Sequence, residues 1–436
     1  MQNITIRKCK KASGEITVPG DKSISHRAVM IGSIAKGETV IRGFLNSADC
    51  NATINAFRMM GILISEDQET KTITVLGKGL NGLSRPSGTI DVGNSGTTIR
   101  LISGILAGQS FDTKITGDES IQKRPMKRVV TPLSLMGGKI EGQISQNGDI
   151  TPPLSIFSSK LMGINYETPI PSAQVKSAIL LAGLYAGGET KVREKVKSRD
   201  HTERMLSHFG ADIKVDNLSY TIKSGRELLA KEVDVPGDIS SVAYFIALGM
   251  LAKDSEILIK NVGLNPTRDG IIKVAQMFGG KISIQNERIL SGEPRGDILV
   301  SYSEGLRGIE LSGEIIPNII DEIPIIAVIA SQAIGQTMIR DAKELRVKES
   351  DRIKTVVDFL RKMGVEIEEL EDGMIIQGKA RLHGETIESH GDHRIAMSAT
   401  VAGLLADGET IINNTSCVDT SFPGFMGLIN QVIVSS

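Results

Sequence analysis

Apolar positions along the chain fall into short helix-compatible stretches, six of which end in Met or Phe followed by Gly. The pairs are Met60-Gly61, Met136-Gly137, Phe209-Gly210, Phe278-Gly279, Met363-Gly364 and Met426-Gly427, at intervals of 76, 73, 69, 85 and 63 residues. A glycine in that place suits a left-handed helix C-cap. β-type residues follow most of them, as in Lys139-Ile140-Glu141 and Asp212-Ile213-Lys214-Val215. A second signal precedes each pair: small and apolar residues run into a turn and then a strand, at 35–43 (AKGETVIRG), 107–115, 187–194, 252–260, 334–341 and 406–414 (ADGETIINN). One unit therefore reads helix, tight turn, strand, loop, helix, Gly, strand. Its period exceeds the ~20–50 residues of solenoid repeats, so the pattern predicts six small α/β subdomains.

The two halves also align. Val18-Pro19-Gly20-Asp21 recurs as Val235-Pro236-Gly237-Asp238, and Ala35-Lys36 as Ala252-Lys253, at a common offset of 217. This predicts an α/β protein of two similar three-repeat domains. Residues 21–236 form the first, and 1–20 with 237–436 the second, with crossovers near 19–23 and 235–240.

Composition narrows the class. Hydrophobic residues at 40% and charged residues at 23% of 436 describe a globular chain. The longest apolar run, Val242 to Ala252, is too short to span a bilayer, and the N-terminal stretch has no apolar signal core. The expectation is a cytoplasmic protein without a membrane partner. With 50 basic and 51 acidic residues the net charge is −1, and aromatics are 3% with no Trp, so nothing favours nucleic acid. Three cysteines without CxxC spacing argue against structural zinc and a disulfide framework.

With no general electrostatic pull, an anionic ligand must be held by local clusters, and these recur at helix starts. Pro19-Gly20-Asp21-Lys22-Ser23-Ile24-Ser25-His26-Arg27 opens an apolar helix that Ser23 or Ser25 can cap, with Lys22 and Arg27 beside its first N–H groups. Gly93-Asn94-Ser95-Gly96-Thr97-Thr98-Ile99-Arg100 is a Gly-rich entry to another helix, without P-loop spacing. Gly96 would let a ligand approach the backbone closely. Lys123, Arg124, Lys127 and Arg128 crowd around Pro125, which puts Arg124 at a loop edge. Further helix entries are Ser172–Ser177, Ser198–Arg204, Asp321-Glu322-Ile323-Pro324, Arg346–Arg352 and Gly391–Met397. Each has an ordinary alternative: a capped surface helix, a solvated charge run, or an i,i+4 salt-bridged face. Taken together they predict a cleft between the domains for a small, multiply charged, phosphorylated anion, with the carboxylates serving general acid–base chemistry.

The motifs PGDKSISHR, GNSGTTIR, GDESIQKRPM, PSAQVKSA, DEIP, RVKESDR and GDHRIAM stand here in the order seen in the 5-enolpyruvylshikimate-3-phosphate synthase family. The resemblance runs from Val18 to Met426, and PSAQVK and SRDHTER are similar to the second bacterial class. It implies an inside-out α/β barrel of three βαβαββ units per domain. The implied reaction moves the enolpyruvyl group of phosphoenolpyruvate to the 5-hydroxyl of shikimate 3-phosphate in a monomer, with no metal or cofactor. It implies glyphosate inhibition as well. By the same resemblance Lys22, Ser23 and Arg27 meet shikimate 3-phosphate, and Lys22 also reaches phosphoenolpyruvate. The Gly96 backbone, with Arg124, holds phosphoenolpyruvate, and Asn94 is a further substrate-binding residue. Ser172 and Gln174 bind shikimate 3-phosphate, and Arg199 joins them at its phosphate. Asp321 is the base near the 5-hydroxyl, Lys348 lies beside that hydroxyl, and Glu349 donates the proton to the methylene carbon. Arg352 and Arg394 clamp phosphoenolpyruvate, with His393 close by.

Two positions depart from the family pattern. Ala173 stands where many members have Ser, which removes one hydroxyl contact to the phosphate. Asp419-Thr420-Ser421-Phe422-Pro423 lacks the lysine that many members place just before this motif. The alternative readings are a UDP-N-acetylglucosamine enolpyruvyl transferase, disfavoured because no Cys lies between 51 and 416, an RNA-end-processing relative of similar fold, and a non-catalytic anion binder.

Overall fold

Four of the six sheets pair their strands in one recurring order, and the computed structural model describes residues 3–67, 69–70 and 72–435. In the third repeat, Asn165–Glu167 runs parallel to Glu189–Arg193, which pairs antiparallel with Ser219–Lys223, itself antiparallel to Asp212–Asp216. The same order holds for Ile90–Asp91, Thr113–Thr116, Ile150–Phe157 and Lys139–Ile144, and for Glu310–Leu311, Gln336–Ile339, Gly373–Gln377 and Ile367–Leu370. By their internal contacts the residues divide into two units. One is Gly20–Val235 with the hairpin tip Leu290–Glu293; the other is the chain up to Pro19, Pro236–Ile289 and Pro294 onward.

Within the Gly20–Val235 unit the helices are α1 (Lys22–Ile34), α2 (Ala48–Met59), α3 (Gly96–Ala107), α4 (Lys127–Leu135), α5 (Ala173–Gly183) and α6 (His201–His208). Those of the other unit are α7 (Ile239–Leu251), α8 (Gly270–Met277), the single turn α9 (Ile316–Ile319), α10 (Ile323–Gln332), α11 (Arg352–Lys362), α12 (His393–Leu405) and α13 (Phe425–Val432). Apart from α9 and α13 they are of two kinds. Helices α1, α3, α5, α7, α10 and α12 are buried on nearly every face past their first turn and form the cores of their units. Helices α2, α4, α6, α8 and α11 bury one stripe and leave the other to water. An apolar sequence all round belongs inside, and a one-sided sequence belongs at the surface.

Inner helices pack closely because small residues face one another. A Cβ on Gly104 of α3 would stand 2.1 Å from the Ala178 carbonyl oxygen of α5, so only glycine permits that crossing. The unit that includes the N-terminus completes its sheets with early strands: Ile4–Arg7 pairs antiparallel with Glu409–Asn413, and Cys9–Ile16 parallel with Glu256–Gly263. No described helix is long and apolar enough to cross a membrane.

Five of the six Met/Phe-Gly pairs end an outer helix with a left-handed glycine, at Gly61, Gly137, Gly210, Gly279 and Gly364. The sixth does not. Met426-Gly427 lies in the first turn of α13, and the left-handed glycine there is Gly424, which precedes the helix. A Met-Gly pair fits a helix interior equally well when the residues around it carry the turn. The serines expected to cap α1 do not: Asp21 accepts from Ile24 N at 2.9 Å, while Ser25 is buried and accepts from Leu45 N at 3.0 Å. A carboxylate acceptor complements the helix dipole better than a hydroxyl. The repeat partner of Asp21, Asp238, caps α7 in the same way, by accepting from Ser240 N at 2.9 Å.

Candidate functional site

In the Gly20–Val235 unit the candidate residues sit at the starts of three inner helices. At α1, Lys22 and Ser23 are half-buried, and Lys22 Nζ pairs with Asp49 at the start of α2. Arg27 is 4% exposed, and its guanidinium is fixed on three sides. Nε donates to Thr202 Oγ1 (2.6 Å), Nη1 to Ser23 O (2.9 Å) and Nη2 to Ser177 Oγ (3.0 Å). Burial lowers its pKa to about 10, with Glu203 and Asp21 working against that and Arg199 adding to it. Arg199 therefore lies near Arg27, half-buried in the loop leading into α6.

Beside Arg27, His26 is fully buried. Burial takes its pKa down to about 3, so the ring is neutral and serves structure. Its Nδ1 meets Thr53 Oγ1, which meets Thr98 Oγ1, which meets Ser95 Oγ, each at 2.7 Å. This hydroxyl chain ties α1 to the cap of α3, where Ser95 accepts from Thr98 N at 3.2 Å. Serine, not the neighbouring Asn94, is thus the cap. Asn94 Oδ1 instead accepts from Arg124 Nη2 at 2.9 Å. Gly96 brings the cations together: a Cβ there would lie 2.7 Å from Arg124 Nη1 and 3.5 Å from Arg100 Nη1. At the start of α5, Ser172 is the cap, with Ala173 and Gln174 half-buried next to it.

The second set belongs to the unit of α7–α13 and converges on Arg352, which is 1% exposed at the first position of α11. Nε donates to Asp392 Oδ2 (2.8 Å), Nη2 to Glu349 Oε2 (2.5 Å) and Nη1 to Asp321 Oδ1 (3.3 Å). Burial opposes the charge on Arg352, but the three carboxylates more than offset it and hold its pKa above the ordinary arginine range. Burial likewise works against charge on Asp392, while Arg352 keeps its pKa below the ordinary carboxylate value. Arg394 donates from Nη1 to the Asp321 carbonyl (2.9 Å), and its Nη2 lies 3.8 Å from Asp321 Oδ2. His393 is 7% exposed and follows the capping Asp392 directly. Lys348 stands apart from this cluster and donates to Glu344 Oε1 at 3.2 Å. Asp419 is exposed.

Three contributors escaped the motif reading. Asp392 is the most buried partner of Arg352, and its sign was the Gly-Asp-His-Arg helix entry, where a cap was to be expected. Arg100 and Glu322 lay inside quoted motifs, but nothing local marks a side chain as buried. Glu322 is 1% exposed, accepts a hydrogen bond from Ser240 Oγ and lies 3.5 Å from Arg394 Nη1.

Against known proteins, residues 6–429 match the family described as EPSP synthase (3-phosphoshikimate 1-carboxyvinyltransferase). A 3-phosphoshikimate 1-carboxyvinyltransferase of Brevibacillus brevis is 54% identical over 429 residues, covering 98% of this chain and 99% of the relative. One of Geotalea daltonii is 53% identical over 434 residues and covers both chains fully. Among solved structures, EPSP synthase from Acinetobacter baumannii superposes with a TM-score of 0.90 at 44% identity, over 100% of this chain and 99% of its own. The enolpyruvyl transferase NikO from Streptomyces tendae shares the fold, with a TM-score of 0.77 at 16% identity over 98% and 96% of the two chains.

Proposed function

We infer that this chain, which belongs to the EPSP synthase (3-phosphoshikimate 1-carboxyvinyltransferase) family, is itself a 3-phosphoshikimate 1-carboxyvinyltransferase. It transfers the enolpyruvyl group of phosphoenolpyruvate to the 5-hydroxyl of shikimate 3-phosphate and releases phosphate, acting as a cytoplasmic monomer. The observation that carries this reading is identity above 50% to such enzymes over the full chain, rather than over one domain.

In the proposed mechanism Asp321 takes the proton of the 5-hydroxyl as its oxygen attacks C2 of phosphoenolpyruvate, and Glu349 protonates C3. Cleavage of the C2–O bond then expels phosphate, and C3 returns its proton. One acid and one base are needed together, so their environments must push the two carboxyl groups apart. Arg352 offers a way. Its guanidinium donates to Glu349 Oε2 at 2.5 Å and to Asp321 Oδ1 at 3.3 Å. A substrate carboxylate that competes for Arg352 weakens the hold of that guanidinium on Glu349 and favours the acid form there, while Asp321 keeps Arg394. Bidentate guanidinium groups suit the carboxylate and phosphate oxygens of this donor. Arg394 and Arg124 complete that role, with His393 beside Arg394. On the acceptor, Lys22, Ser23, Arg27, Ser172, Gln174 and Arg199 hold the shikimate phosphate and ring hydroxyls, and Lys348 steadies the developing alkoxide.

The test is phosphate release with phosphoenolpyruvate and each acceptor in turn. Turnover should appear with shikimate 3-phosphate and be far lower with shikimate, because buried donors built for the missing phosphate are left unpaired. Equal rates with UDP-N-acetylglucosamine would overturn the assignment.

A second expectation concerns Gly96→Ala. The new methyl would stand 2.7 Å from Arg124 Nη1, so the guanidinium must move. The obstacle is the far end of a flexible side chain, so the fold should survive and the cost, about 1–3 kcal/mol, should fall on ligand binding. Glyphosate is longer than phosphoenolpyruvate and should lose more, by about ten- to a hundredfold. The inhibition constant and the KM for phosphoenolpyruvate, measured in both proteins, check this. An equal rise in both would show that the methyl does not discriminate by length.

A further inference from the structure

Helices α3 and α5 touch where Gly104 meets Ala178, and one turn earlier on each helix stand Arg100 and Gln174. The close crossing brings those two side chains together: Arg100 Nη1 donates to Gln174 Oε1 at 2.7 Å. Gln174 Nε2 in turn donates to Thr97 Oγ1 at 3.2 Å. Arg100 is 5% exposed and its Nη2 also reaches the Pro125 carbonyl at 3.4 Å, so the guanidinium is held from two sides.

We propose that Arg100 is a positioning residue for acceptor recognition, which locks the Gln174 side-chain amide with its oxygen inward and its NH2 group toward the ligand. The argument is one of donor and acceptor inventory. A guanidinium has only donors, so the group facing it must be the amide oxygen. That fixes which end of Gln174 is presented. Of the two amide hydrogens, one is used by Thr97 and the other has no protein partner among the described residues. Gln174 is half-buried. It therefore offers a single outward N–H donor, which selects an oxygen acceptor on the ligand and cannot receive a ligand hydrogen bond in its place. Without Arg100 the amide can rotate by half a turn and present its oxygen, which repels the same ligand atom. Thr97 alone does not prevent this, because a hydroxyl donates as readily as it accepts.

This inference rests on the reading of Gln174 as a shikimate 3-phosphate contact, so turnover by the parent enzyme is established first; its absence would sink that reading and not this one. Steady-state kinetics of Arg100→Met should then show KM for shikimate 3-phosphate raised about tenfold with kcat within about threefold, the loss expected for one mispaired hydrogen bond. Arg100→Lys, which keeps a donor toward Gln174 Oε1, should recover most of the loss. The decisive measurement is the double mutant. In a Gln174→Met background, Arg100→Met should raise KM by less than about twofold, since the group it positions is gone. A full tenfold increase in that background, or a fall in kcat with KM unchanged, would overturn the proposal. Should Arg100→Met fail to fold, the same comparison is made with Arg100→Gln, which still lacks the charge.

Discussion

Asp321→Asn should lower kcat by about a thousandfold while leaving the affinity for phosphoenolpyruvate within about threefold. Asn preserves the shape of the side chain and one oxygen. That oxygen can still accept from Arg352 Nη1, now 3.3 Å from Oδ1, and the backbone carbonyl that accepts from Arg394 at 2.9 Å is untouched. What is lost is the ability to take a proton. If Asp321 merely oriented the two arginines, the amide would serve nearly as well, and the damage would appear in KM. Single-turnover phosphate release with separately measured phosphoenolpyruvate binding distinguishes the cases, and a kcat within tenfold of the parent would remove Asp321 from the role of base.

Lys176→Met should cost about 3–5 kcal/mol of stability in the Gly20–Val235 unit. Lys176 is fully buried on α5. Its ammonium lies 2.8 Å from Glu194 and 2.7 Å from Glu203, and 4.0 Å above the Tyr220 ring. Removing it strands two buried carboxylates. Burial already raises the pKa of Glu203, and Lys176 is what opposes that rise. In the variant Glu203 should therefore be protonated in the folded state at a pH where the unfolded chain is ionised. Folding then binds a proton, so stability must fall as pH rises. Denaturant unfolding should show a deficit larger at pH 8 than at pH 5, relieved by adding Glu194→Gln and Glu203→Gln. A deficit below about 1 kcal/mol, or one independent of pH, would mean the triad is not held as a charged unit.

The fold was readable where local chemistry and tertiary position agree. A turn followed by Thr, Val or Ile gives a strand whichever repeat it stands in, and a positive φ after an outer helix demands glycine at Gly61 or Gly364. Met426-Gly427 misled because the pair constrains nothing by itself; the turn before α13 is made by Gly424. Charged helix entries drew attention to Arg27, Asp321 and Arg352, and the structure places Arg27 within the first turns of α1, Asp321 just before α10 and Arg352 at the first position of α11. Partnership was not readable. That Arg352 binds Asp392 rather than water, or that Arg100 reaches Gln174, follows from the starts of α11 and α12 meeting and from α3 and α5 crossing at Gly104, and no window of a few residues contains that information. Lys176 shows the same limit: inside PSAQVKSA it looks like one more helix-entry cation, yet it is sealed between Glu194 and Glu203.

The early strands also set a timetable for synthesis. Gly20–Val235 is contiguous apart from the four residues of the hairpin tip, so it can begin to condense while the ribosome is still translating. Ile4–Arg7 and Cys9–Ile16 emerge before that unit but must wait for Glu409–Asn413 and Glu256–Gly263. At ~5–20 residues per second that delay is on the order of tens of seconds for the terminal strand. Throughout it, two β-forming segments with open edges trail from the nascent chain, next to a unit that is already taking shape. The adjacent Lys10 and Lys11 give the waiting Cys9–Ile16 strand the positive charge that discourages pairing with the wrong partner.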